Sequence, residues 1–329
     1  MHKPDPVETL SKPCNAGLID IEWVIEDLTE SEVQQSWWNE VFRSKTFRYK
    51  AFSVSPPGLV WGAFCNVKDK NPSKFVRHKK MNHSLIQRAA KDIFQSKKTV
   101  AFTGAGISVE SGIPAFRGAQ GLWEKYDPEE YAHIDAFHAN PAKVWRMVKE
   151  MFALIMTAKP NPAHLGLAEL ERMGLLSSVI TQNVDGLHQA AGNTNVIEFH
   201  GNHNTLSCLR CATKVEGGSL TLEDLPAHCP SCASLLKPDV VFFGEAIPWR
   251  AQVLSSSESQ SCTAMLVIGT SAIVYPAATL PTTAKERGAT VIEINMEPTS
   301  MTDEISDYLI EGSAGEIIPA IVEEVKKLS

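Results

Sequence analysis

The sequence predicts an α/β fold: a doubly wound parallel sheet, Rossmann-like, with a smaller lobe inserted into it. Three observations carry the prediction. From residue 82 onward, short apolar runs alternate with stretches of helical spacing, as in strands buried between crossover helices. A glycine-rich turn closes the first of those runs. Two regions, 118–160 and 201–237, break the rhythm, and the second holds four clustered cysteines.

Residues 1–80 fit none of this. They hold four of the seven Trp (Trp23, Trp37, Trp38 and Trp61) and 12 Lys and Arg against 10 acids. That net +2 leaves −9 for residues 81–329 of a chain whose total is −7. Pro56-Pro57-Gly58 marks a turn, and the basic stretch 68–80 reads as a linker. The segment is expected to be either an accessory extension of unknown role or a start-site artefact ahead of translation from Met81. No basic-then-apolar leader opens the chain, and no run of 18 apolar residues occurs, so a cytoplasmic protein with no membrane span is expected. An acidic balance, with a pI near 5.8, argues against nucleic-acid binding.

The main body follows in order. Leu85, Ala89 and Ile93 give helical spacing over 84–95. The run 99–103 reads as a strand ending at Gly104. Further strands are predicted at 178–181, 196–200, 240–243, 265–269 and 290–295. Helices are predicted at 141–158, 163–173, 276–287 and 314–328. Region 118–160 reads as a largely helical insertion.

Gly104-Ala105-Gly106-Ile107-Ser108 follows the first strand. Glycines there would let backbone approach a pyrophosphate, with the next helix N-terminus supplying N–H donors. A third glycine is missing, because Val109 stands in its place, so hydride-transfer dehydrogenases fit poorly. A bare strand–helix turn remains an alternative. The loop Ser111-Gly112-Ile113-Pro114-Ala115-Phe116-Arg117-Gly118 adds an aromatic ring and a guanidinium, suited to closing over a ligand. Thr181-Gln182-Asn183-Val184-Asp185 begins at a strand end, where open α/β sheets bind ligands. Its amides and carboxylate suit ribose hydroxyls and a carboxamide; taken alone, helix capping by Asn183 or Asp185 is the simpler account. His200-Gly201 closes another run, and an imidazole there suits a general base or a structural role.

Cys208-x2-Cys211 and Cys229-x2-Cys232 are two knuckles 17 residues apart. That spacing suits a zinc ribbon with four thiolates around one structural Zn²⁺ and no open position for catalysis.

Taken together, these motifs resemble the sirtuins, NAD-dependent protein deacylases, in their compact prokaryotic form. The likeness covers about 84–328 and includes, beyond the pieces above, Phe243-Gly244-Glu245, Gly269-Thr270-Ser271 and Asn295-Met296-Glu297. It implies NAD as co-substrate and acyl-lysine proteins as partners, and it leaves oligomeric state open. The acyl oxygen would attack the nicotinamide ribose and displace nicotinamide. His200, aided by Asn183, would then activate a ribose hydroxyl, and water would release lysine and O-acyl-ADP-ribose. By the same resemblance, Gly104, Ala105, Gly106, Phe116 and Arg117 line the cofactor site. Gln182 and Asn183 hold the ribose, while Val184 and Asp185 bind the carboxamide. Gly269, Thr270, Ser271, Asn295, Glu297 and Ala314 meet the adenosine half. Val241, Phe242, Phe243, Gly244 and Glu245 pair with the substrate backbone. Members that prefer acidic acyl groups carry a Tyr and an Arg three residues apart, where Val148 and Met151 stand here. Acetyl or longer apolar groups are therefore expected over succinyl, with Ala119 small enough to widen the pocket. An ADP-ribosyltransferase and a non-catalytic NAD-sensing scaffold are the rival readings.

Overall fold

A computed structural model describes residues 72–117, 121–217 and 221–329. Ala119 and most of residues 1–80 therefore lie outside the described residues. The chain divides into two units, Met1–Lys79 and Lys80–Ser329, and the sheets and cleft below belong to the second. The basic stretch expected as a linker is helical from Pro72 onward: helix α1 spans Pro72–Gln95.

Strand β1 (Thr99–Thr103) is followed by a 3-10 turn, Ala105–Ser111, rather than by the expected α-helix. Four helices form the predicted insertion: α2 (Leu122–Lys125), α3 (Pro128–Tyr131), α4 (Ile134–Ala139) and α5 (Pro141–Thr157). Asn140 caps α5 through Lys143 N–H, and Pro141 sits at its first turn, where a missing N–H costs nothing. The chain returns to the sheet through α6 (Pro162–Arg172), β2 (Ser178–Thr181), α7 (Leu187–Ala191) and β3 (Val196–Glu198).

The second lobe adds β4 (Gly201–Cys208), β5 (Lys214–Glu216) and β6 (Leu236–Val240). The last elements are α8 (Trp249–Ser261), β7 (Ala264–Ile268), α9 (Thr279–Glu286), β8 (Thr290–Asn295), β9 (Tyr308–Glu311) and α10 (Ala314–Lys326). Six strands form one parallel sheet in the order β3-β2-β1-β7-β8-β9. The chain winds outward from β1 to β3, then restarts at β7 and winds the other way. The switch point therefore lies between β1 and β7, where such sheets open a crevice.

The apolar run at 240–243 does not join this sheet, contrary to expectation. Val240 ends β6, which pairs with β4 in a separate antiparallel sheet ordered β5-β4-β6, and 241–243 follow that strand. Two cores cover the parallel sheet. One packs α1, α6 and α10 through Leu167, Leu170, Ile318 and Ile321; the other packs Phe102, Phe199 and Met265 with Leu280 of α9. A third core joins α5 to the small sheet through Trp145, Leu206 and Leu236. Trp145 Nε1–H donates to the Leu236 carbonyl at 3.1 Å, which satisfies the one polar atom of a buried indole. No described helix is long and apolar enough to cross a membrane.

Candidate active site

The floor of the crevice is two backbone turns in contact. After β1, Gly104 N–H donates to the Ile268 carbonyl at 3.0 Å and Gly106 N–H to the Gly269 carbonyl at 2.8 Å. A Cβ on Gly106 would lie 2.7 Å from Gly269 Cα, and a Cβ on Gly269 would lie 2.4 Å from Ile107 N. Gly269 also has φ +60°. These glycines are thus required by the crossing of the two turns, a reason that motif spacing alone did not reveal.

The turn after β2 fills the next layer. Gln182 Nε2–H donates to Thr270 Oγ1 at 2.9 Å, tying the two sides of the switch point. Asn183 Nδ2 donates to the Gly104 carbonyl and to Ser108 Oγ, both at 3.1 Å. Ser108 Oγ–H in turn donates to Asp185 Oδ2 at 2.7 Å, and Asp185 Oδ1 accepts from Leu187 N–H at 3.0 Å. Asp185 is therefore buried beneath the cleft wall, where it accepts from the first N–H of α7 and holds Ser108. Ser108 was not singled out from sequence, because its partners lie 75 and 77 residues away.

His200 follows β3. Its Nδ1 lies 3.2 Å from the Gln182 carbonyl, an acceptor only, so Nδ1 carries the proton and Nε2 is left with its lone pair. Burial holds this imidazole below its ordinary pKa, against the raising effect of that carbonyl. A neutral imidazole with a fixed tautomer is what a general base requires. His188 and His164 behave differently. They are buried with ring centroids 4.8 Å apart, and His188 Nε2 meets Thr103 Oγ1 at 3.0 Å. Burial pushes His164 down to about 4 and His188 to about 3, so both stay neutral behind the cleft.

Every residue predicted for cofactor or substrate, Asp185 excepted, lines a single cleft of about 700 Å³ with His200. Its wall under the helical insertion is apolar: Met147, Val148, Met151, Phe152 and Ile155 of α5 face Phe116, Trp123 and Phe242. Phe116 stacks on Trp123 with centroids 5.2 Å apart.

The segment after β6 is clasped from inside. Lys237 Nζ, almost fully buried, donates to the Val240 and Pro238 carbonyls at 2.7 and 3.1 Å and pairs with Glu245 Oε2 at 2.8 Å. The same carboxylate oxygen accepts from Phe242 N–H at 2.7 Å, and the Phe242 ring lies 4.3 Å from the ammonium. Phe243 bonds through N–H to Ala132 and through its carbonyl to Ile134. Gly244's own N–H and C=O take part in no backbone hydrogen bond among the described residues.

The four cysteines meet at the tip of the small sheet. All Sγ atoms lie within 4.8 Å of one another, with Cys208–Cys232 and Cys211–Cys229 both at 3.5 Å. Four thiolates around Zn²⁺ at about 2.3 Å require separations of about 3.8 Å, so the cluster fits the ion. The knuckles are also alike in backbone. Ala212 and Ala233 both have φ +57°, and each N–H bonds to the carbonyl of the first Cys of its knuckle. The cysteines are positioned to bind a structural zinc.

A crevice at the switch point of an open α/β sheet, floored by crossed glycine turns, defines a dinucleotide-binding α/β protein, here with a thiolate-clustered second lobe. The chain belongs to the Sir2 family, whose model matches residues 104–276. It is 47% identical over 251 residues to the NAD-dependent protein deacylase of Pyrococcus furiosus, covering 74% of this chain and all of that one. Among solved structures, a Sir2 homologue in complex with NAD shares 45% identity with a TM-score of 0.68, covering 73% of this chain and 94% of its own. A Sir2 enzyme bound to a myristoylated histone peptide shares 42% identity with a TM-score of 0.64, covering 74% and 98%.

Proposed function

We propose that this chain removes acetyl or other apolar acyl groups from protein lysines at the expense of NAD, yielding nicotinamide, free lysine and O-acyl-ADP-ribose. Residues 81–329 act as the catalytic domain, with 118–160 and 201–237 as its insertions and 1–80 as an N-terminal extension outside it. The observation that carries the reading is His200, a half-buried imidazole whose protonated nitrogen is tied to Gln182 while the other is left to accept a proton. When bound, NAD supplies the ribose electrophile and the nicotinamide leaving group.

The chain's residues then divide the work. Gly104, Ala105, Gly106, Phe116 and Arg117 border the pyrophosphate and nicotinamide side, and Gly269, Thr270, Ser271, Asn295, Glu297 and Ala314 the adenosine side. Gln182 and Asn183 orient the ribose hydroxyls. Val184 and Asp185 hold the carboxamide, Asp185 by exchanging its bond to Ser108. His200 takes the proton from the ribose hydroxyl that attacks the acyl group. Gly244, whose own N–H and C=O are uncommitted, offers the substrate backbone its hydrogen bonds, while Val241 to Glu245 shape the acyl-lysine entry.

The α5 wall supports an apolar acyl group. Val148 and Met151 give a succinyl carboxylate no cation, and a desolvated unpaired charge is costly. Incubation with acetyl-, succinyl- and myristoyl-lysine peptides plus NAD, followed by mass spectrometry, tests the reading. Acyl-ADP-ribose and free lysine are expected from the first and third. Label transfer from NAD onto protein without acyl-ADP-ribose would refute it, as would a succinyl preference. His200→Ala is expected to retain NAD binding and lose about 10²–10⁴ in turnover.

A further inference from the structure

A buried carboxylate lies behind the adenosine side of the cleft. Glu293 is on β8, and its side chain is fully shielded from solvent. Its oxygens accept four side-chain hydrogen bonds. Thr299 Oγ1 and Asn295 Nδ2 reach Oε1 at 2.6 and 3.1 Å; Thr302 Oγ1 and Ser306 Oγ reach Oε2 at 2.8 and 2.9 Å. Among the described residues no cation pairs with it. Burying an unpaired carboxylate is costly, and only this full set of donors offsets it.

The geometry of Asn295 shows what the arrangement does. Its Nδ2 donates both to Glu293 Oε1 and to the Thr270 carbonyl, the latter at 3.0 Å. Two acceptors consume both amide hydrogens, so the carboxamide is held in one orientation. Its Oδ1 is then left for a donor arriving from the cleft that Asn295 and Thr299 line. A ribose hydroxyl is such a donor. The three hydroxyl donors all come from the segment after β8, so the same carboxylate anchors the underside of the loop that begins with Met296 and Glu297.

We propose that Glu293 is a positioning residue for the dinucleotide, acting through Asn295. It holds the Asn295 amide so that an acceptor faces the adenosine ribose, and it pins the following loop beneath. The inference rests on the reading of the cleft as the NAD site. Calorimetric titration of the full chain with ADP-ribose, beside KM values for NAD and acyl peptide, tests it. Glu293→Gln leaves one acceptor oxygen where two stood, so Asn295, Thr299, Thr302 and Ser306 can no longer all donate to it. It is expected to raise Kd for ADP-ribose and KM for NAD about tenfold or more, with KM for peptide changed less than about twofold. In an Asn295→Ala background the same substitution is expected to raise Kd by a clearly smaller factor, since the route through Asn295 is already cut and only the hold on the loop remains. Should Glu293→Gln not fold, Glu293→Asp, which withdraws the oxygen by one methylene, carries the same expectation. An unchanged Kd, or a loss that adds in full to that of Asn295→Ala, would overturn the inference while leaving the cofactor reading intact. Failure of the unmodified protein to bind ADP-ribose would sink the cofactor reading itself.

Discussion

Acid should destabilise this protein well before its carboxylates titrate, because of the two histidines behind the cleft. His164 and His188 are buried with no carboxylate hydrogen-bonded to either, and Asp185 only partly opposes the effect of burial on His164. Their folded values, about 4 and about 3, lie below the roughly 6.5 of an unfolded imidazole. Between those limits the unfolded chain binds protons that the native state refuses, so stability present above pH 6.5 falls as the pH falls. Each histidine costs about 1.4 kcal/mol per pH unit below 6.5 until its own folded value is reached. At about pH 5 both are still neutral in the fold, and the loss is about 2 kcal/mol each, about 4 for the pair. Depressed carboxylates such as Asp239 and Asp307 act in the same direction only at lower pH. Urea unfolding followed by Trp fluorescence at about pH 7 and about pH 5 measures the difference. His188→Gln, which can keep a hydrogen bond to Thr103, is expected to lose about half of it. Equal stabilities at the two pH values, within about 1 kcal/mol, or an undiminished difference in His188→Gln, would refute the reasoning.

Three further outcomes are expected. Lys237→Met leaves the half-buried Glu245 carboxylate without its cation and should cost about 1–3 kcal/mol in denaturant titration, with KM for peptide raised more than KM for NAD; Glu245→Gln in the same chain should recover part of it. Cys208→Ser, or chelation, should release about one zinc per chain by metal analysis and lower Tm, whereas full stability without metal would count against a structural site. Val148→Tyr with Met151→Arg should place a cation and a hydroxyl in the acyl wall and raise kcat/KM for succinyl-lysine peptide relative to acetyl by about tenfold or more.

Strands that are apolar on both faces were legible from sequence, and those at 99–103, 178–181 and 290–295 were located to the residue. β9 was not, because Tyr308–Glu311 alternates buried and partly exposed positions and follows a polar stretch. The run 240–243 misled for the opposite reason: its apolar side chains face the cleft and the third core rather than the parallel sheet. The 3-10 turn after β1 escaped because its glycines answer to Gly269, 163 residues on. Cysteine spacing was sufficient for the metal cluster, since its ligands come as two local knuckles. Lys237, Ser108 and Glu293 were invisible as functional candidates. Each acquires meaning only from partners brought up by the fold, although a Glu inside the apolar run of β8 was a signal available to be read.

The crossed glycine turns have a consequence for how this protein can diverge. Gly106 and Gly269 occupy the volume each other's side chain would need, so neither position accepts a larger residue while the other turn stays in place. The floor is therefore closed to change by single substitutions, and altering it would require the registers of β1 and β7 to move together. The α5 wall has no such coupling: its side chains can be exchanged one at a time for others of similar volume. Variation among descendants of this chain should accumulate in what is removed from lysine, while the dinucleotide that accepts it stays the same.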